Sequence, residues 1–139
     1  MPILIFLAAF LASSAPHNVA VQVSSSCPKA GDIHLAVYAS AADFKDRREV
    51  TSLIKPCKGE AISLQVTLPE SGTYLLAAYH DLNGNGKLDR NFFGIPTEPY
   101  GFNQTPSSKW AEPKFAEIAT TFDGGKVAAT LDLKRWKEY

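Results

Sequence analysis

The sequence predicts an all-β protein, an antiparallel sandwich of six or seven strands with one long ordered loop. Apolar and polar residues alternate with a period of two in segment after segment, and no stretch carries a long helical period. Turn residues, above all Gly and Asn, punctuate those segments and supply the chain reversals such a fold requires.

Residues 1–15 come first. Ile3, Leu4, Ile5, Phe6 and Leu7 begin an apolar run that ends in small Ala12, Ser13, Ser14 and Ala15, the pattern of a secretory signal peptide. The cut is expected at roughly residues 14–20, with Pro16 disfavoured directly after it. The run falls short of the about 20 apolar residues that a spanning helix needs. The mature protein is therefore expected to lack a transmembrane segment and to be secreted or periplasmic. The alternative is a buried N-terminal strand or helix, since no Lys or Arg precedes the run.

The remainder reads as a single domain, residues 18–134. Val19, Val21 and Val23 alternate with Ala20 and Gln22; Ile33, Leu35 and Val37 alternate with His34 and Ala36. Ile62, Leu64, Val66 and Leu68 alternate with Ser63, Gln65 and Thr67. Each set predicts a strand with one buried face. Residues 73–79 are apolar on both faces and predict a central strand. Phe115, Ile118 and Phe122 suggest another strand within residues 114–122, and Val127, Ala129, Leu131 and Leu133 mark the last, reached through a Gly124-Gly125 hairpin turn. Residues 41–50 hold either a short helix or a polar loop.

Cys27 and Cys57 are the only two cysteines, which suits one disulfide in an oxidising compartment. Closing a loop of about 30 residues would stabilise the fold by roughly 3–4 kcal/mol. Two free thiols are the alternative, as is a lipid on Cys27, although Ser24 stands where a lipidation signal wants Leu. With 139 residues, 45% of them hydrophobic, the chain is long enough to bury one core. Fourteen Lys and Arg balance 14 Asp and Glu, so nothing attracts nucleic acid over long range. Partners must be recognised by local shape and chemistry.

The most informative segment is residues 80–89. Asp81, Asn83, Asn85, Gly86, Lys87 and Asp89 occupy the first, third, fifth, sixth, seventh and ninth positions of a calcium loop, where oxygen donors and a turn glycine are wanted. The twelfth position, normally a bidentate Glu, is Phe92, so Glu98 or a carbonyl further on would have to replace it. Two carboxylates imply weak calcium affinity, about 10⁻⁴–10⁻³ M. Asn83-Gly84 and Asn85-Gly86 are also strong turn dipeptides, and the same residues read equally as a metal-free turn. An EF-hand is excluded because a strand, not a helix, enters the loop.

Residues 91–113 break the regular spacing with four prolines and with Phe92, Phe93, Tyr100, Phe102 and Trp110. So many aromatic residues argue for an ordered excursion over one end of the sandwich. The run Tyr79-His80-Asp81-Leu82-Asn83-Gly84-Asn85-Gly86-Lys87-Leu88-Asp89-Arg90-Asn91-Phe92-Phe93-Gly94-Ile95-Pro96-Thr97-Glu98-Pro99-Tyr100-Gly101-Phe102-Asn103 closely resembles the signature of the bacterial secreted family called domain of unknown function 2141. The resemblance implies an exported β-sandwich similar in outline to immunoglobulin-like or transthyretin-like modules, and it implies no activity. Beyond Phe102 the chain departs from the family pattern, with Asn103-Gln104-Thr105 for a Ser-Asn-Asn type and Ala111-Glu112-Pro113-Lys114-Phe115 for a Gly-Pro-Pro-Ser-Phe type.

The functional expectation is a non-enzymatic binding module for a protein or carbohydrate ligand. Glu98, Tyr100, Phe102 and Trp110 would form a flat apolar surface with polar edges, unless those rings simply cap the core. Trp136, among Lys134, Arg135 and Lys137, is either a contact for an anionic surface or a solvated chain end. No nucleophile elbow, zinc-protease histidine pair or phosphate loop occurs. The competing readings are a small hydrolase using Glu98, Asp89 and His80, and a purely structural envelope protein. His80 and Asp81 are adjacent on a strand and point to opposite faces, which forbids them as a base and its orienting acid.

Overall fold

A computed structural model describes residues 15–25, 29–58, 60–124 and 128–139. The predicted signal peptide falls on residues 1–14 for almost all its length, outside the described residues, and so does Cys27 of the predicted disulfide.

Among the described residues eight strands form two facing sheets, the sandwich that the alternation predicts with one or two strands more than expected. The smaller sheet has the order β4 (Ile62–Leu68), β1 (His17–Ser25), β8 (Ala128–Leu133). The larger runs β3 (Thr51–Cys57), β2 (Gly31–Tyr38), β5 (Gly72–Asp81), β6 (Tyr100–Phe102), and β7 (Thr120–Phe122) pairs with the start of β5. Ten-residue β5 is the hub, bonded to β2, β6 and β7. Val19, Val21, Val23, Ile33, Leu35, Val37, Leu64, Val66, Leu68, Leu131 and Leu133 face as their alternation requires and meet in one buried core between the sheets. Among the described residues no helix is long and apolar enough to cross a membrane.

Four details correct the sequence reading. β1 and β8 run parallel, so the smaller sheet is mixed. β3 went unpredicted because Leu53 and Ile54 are adjacent and Pro56 lacks a ladder N–H. Both are tolerable because β3 lies at a sheet edge and bonds only β2. Residues 114–122 are not one strand but α2 (Phe115–Ile118) followed by β7; the spacing of Phe115, Ile118 and Phe122 is the three-and-four spacing of a helix. Finally, β7 pairs with β5 and β8 with β1, so the strands either side of Gly124 join different sheets and form no hairpin; residues 125–127 lie outside the described residues.

Residues 41–50 resolve as α1 (Ala41–Asp46), whose N-cap Ser40 accepts the Asp43 N–H at 3.1 Å through its hydroxyl. α1 and α2 cover one end of the outer face of the larger sheet. There Tyr38, Phe44, Leu75 and Ile118 form a second buried cluster. The 91–113 segment is ordered, but it crosses this outer face instead of capping an end, and within it β6 adds a strand opposite Ala77, Ala78 and Tyr79.

Candidate functional site

β5 alternates at its end so that His80 turns into the core and Asp81 to the outer face. Gly84 and Gly86 then adopt φ of +71° and +78°, which L side chains resist, and the chain folds back over the Asp81 carboxylate. The Gly84 N–H donates to Oδ1 at 2.9 Å and the Gly86 N–H to Oδ2 at 2.8 Å. His34 Nε2 lies 3.3 Å from Oδ2. Burial opposes charge on Asp81, but the Gly86 and Gly84 N–H groups and His34 outweigh it and hold the carboxyl below its ordinary range.

Asn83 and Asn85 make successive Asx turns, their Oδ1 atoms accepting the N–H of Asn85 and Lys87, each at 3.2 Å. Their amide nitrogens donate to Asp89, Asn83 at 2.5 Å to Oδ2 and Asn85 at 2.6 Å to Oδ1. Glu98 is buried and staples the loop ends: Oε1 accepts the Leu82 N–H at 2.9 Å and Oε2 the Asp89 N–H at 3.1 Å. The predicted metal-loop residues thus belong to one inward-turned network. Among the described residues no three His, Cys, Asp or Glu side chains gather into a metal cluster.

Beside the loop lies an open groove of about 1140 Å³ on the outer face of the larger sheet. Ala36 and Ala77, directly opposite in the β2–β5 register, lower its floor. Rings stand around them. His34 stacks on Tyr79 with centroids 4.7 Å apart, and Tyr100 meets Phe102 edge-on. Trp110 meets Trp136 edge-to-face at 4.8 Å, Lys109 Nζ sits 4.5 Å over the Trp136 ring, and the Trp136 indole N–H donates to the Lys109 carbonyl. Arg47 and Glu112 form an exposed ion pair at 3.9 Å on the rim. Burial, reinforced by Asp81, Glu98 and Asp89, pushes the Tyr79 hydroxyl up to about 12, so it acts at neutral pH as a donor and acceptor without charge.

Tyr100, Phe102 and Trp110 line this groove, and Trp110 is 78% exposed. Glu98 does not. Its carboxylate is spent on loop backbone, which corrects its assignment as a ligand contact. His34, Tyr79 and Trp136 were missed as groove residues. The signal for His34 and Tyr79 was their shared face, visible only once β2 and β5 are paired in register. Glu98, Asp89 and His80 do not open on a common cleft: the His80 ring is fully buried with Nδ1 2.9 Å from Ser25 Oγ, and Asp89 is engaged by two asparagines. Cys57 is buried, its Sγ 3.2 Å from the Glu60 carbonyl oxygen, and its expected partner Cys27 lies outside the described residues.

Fold and site together define a two-sheet β-sandwich with a braced glycine loop and an aromatic groove on one outer face. Residues 21–130 match the family model described as "Uncharacterized protein conserved in bacteria (DUF2141)", and the chain belongs to that family. Neither the curated proteins nor the solved structures hold a match to this chain.

Proposed function

We propose that this protein is an exported, non-enzymatic binding module whose groove receives an extended ligand, a peptide segment or a carbohydrate chain. The observation that carries the reading is the groove itself. Rings from β2, β5, β6, the 106–113 segment and the C-terminal turn converge on an alanine floor. Its size exceeds the roughly 300–1000 Å³ of small-molecule pockets, and its mixture of apolar rings with a few polar groups suits a chain laid across a flat surface. The braced loop then serves as the support for the wall formed by residues 88–96.

Calcium is part of the proposal. At millimolar concentration it would draw the Asn83 and Asn85 carbonyl oxygens and the Asp81 and Asp89 carboxylates to one ion, in place of the amide bonds that now hold Asp89. Export and a Cys27–Cys57 bridge complete it. Cys57 pairs with Gly31, four residues after Cys27, so at most about 14 Å of chain separates the two cysteines' neighbourhoods.

Both tryptophans of the chain line the groove, so ligand capture reads out in intrinsic fluorescence. Screening peptide and glycan arrays and then titrating the hits should give emission changes. Trp110→Ala and Tyr79→Ala should each weaken binding by about tenfold or more. Hits that bind both variants as well as the parent would place recognition elsewhere and end the proposal.

A further inference from the structure

We propose that the tip formed by Phe92 and Phe93 is a membrane anchor that inserts both rings into the headgroup region of a bilayer bearing anionic phospholipid. Phe92 is 97% and Phe93 82% exposed. They touch each other edge-on at 5.5 Å. Such exposure would mean little in a frayed loop, but this tip is built. Asn91 Oδ1 accepts the N–H groups of Phe93 and Ile95 at 2.9 and 3.1 Å, and Gly94, at φ +75°, donates its N–H to the Asn91 carbonyl. The Asn91 N–H in turn donates to the Ile95 carbonyl, and Arg90 pairs with Pro96 across the base. The backbone therefore holds two large apolar side chains in water when a local collapse would hide them.

The shape and charge of the tip select the partner. A convex pair of rings needs a medium that deforms around it, and the interfacial layer of a bilayer does so while favouring aromatic rings. The segment carries two exposed cations, Lys87 and Arg90, and Arg90 is tied to the tip by its guanidinium donating to the Gly94 carbonyl at 2.9 Å. Of the acids of the same segment, Glu98 is buried on loop N–H groups, and half-buried Asp89 is held by two asparagine amides. In a chain of zero net charge, the attraction of these cations to anionic lipid acts only over short range.

Co-sedimentation of the protein with phosphatidylcholine vesicles, with and without phosphatidylglycerol, tests the proposal. Binding should favour the anionic vesicles and weaken as salt rises. The F92S/F93S double variant, altered only at exposed positions, should melt with the parent yet lose about tenfold or more of its partitioning. K87Q/R90Q should retain weak binding but lose the preference for anionic lipid. Equal sedimentation of F92S/F93S and the parent, or no sedimentation of the parent at low salt, overturns the inference. So does a concentration-dependent self-association that the double variant abolishes in the absence of vesicle binding, since the rings would then serve a protein contact.

Discussion

Burying an imidazole with one nitrogen unpartnered is tolerable while the ring is neutral and costly once it is charged. His80 is such a ring: fully buried, with Nδ1 at Ser25 Oγ and Nε2 without a hydrogen-bond partner among the described residues. Gly31 makes the space, since a Cβ there would come within 2.9 Å of Nε2 and 2.4 Å of the Asp81 carbonyl oxygen. Burial lowers the His80 pKa from 6.5, against the pull of Glu98, Asp81 and Asp32. The folded state therefore binds fewer protons than the unfolded chain just below 6.5. Stability should be full above that pH and fall as pH drops from it toward the folded value. Asp81, lowered from 3.8, adds stability that is present above 3.8 and is lost as pH falls further. Urea midpoints across pH 8 to 5 check this: His80→Gln should be less stable at pH 8 yet lose less on acidification, and an unchanged slope would refute the assignment.

At the scale of the element, the 81–89 loop shows how one motif serves two readings. Its hydrogen bonds close the loop without a cation, because each of Asp81, Asp89 and Glu98 already accepts two. Asp81, Asn83, Asn85 and Asp89 together offer four oxygen-bearing side chains to an ion. With an affinity of about 10⁻³ M, calcium at ten times that concentration would stabilise the fold by about 1.4 kcal/mol. For a domain of this size the melting temperature should rise by roughly 3–8 °C. Asp81→Ala should remove the rise and also lower the baseline, because it strands the Gly84 and Gly86 N–H groups. Asp89→Asn should remove the rise with a smaller baseline change. A parent protein whose melting is indifferent to calcium would leave the loop a pure turn.

Across the whole molecule, the two faces of the larger sheet divide the labour. The inner face closes the main core, while the outer face is sealed at one end by α1 and α2 and left open at the other as the groove. The smaller sheet has a different liability. Among the described residues β4 pairs only with β1, and its residues Ile62–Leu68 carry no charge and no proline. Such an edge invites another strand. Lys55 of β3 guards it by donating to the Ser63 carbonyl at 2.7 Å. Lys55→Ala should therefore speed aggregation on mild heating, followed by light scattering and thioflavin fluorescence, with little change in melting temperature. Aggregation at the parent rate would show that the lysine is no guard.

What the chain determined alone was whatever depends on neighbours in sequence. The two-residue period of Val19–Val23 or Ile33–Val37 sets which side chains face inward whatever strand lies beside them, and Asn-Gly pairs turn by their own backbone preferences. The loop residues were legible for the same reason. Pairing was not. That β8 lies parallel to β1, that Pro56 sits on an edge, and that His34 stacks on Tyr79 across from the tryptophan pair all depend on contacts between residues far apart in sequence. Glu98 shows the same division: its charge suggested a surface ligand contact, and only the folded chain brought the Leu82 and Asp89 N–H groups to it, because an unsatisfied backbone donor near the core outbids solvent for a carboxylate.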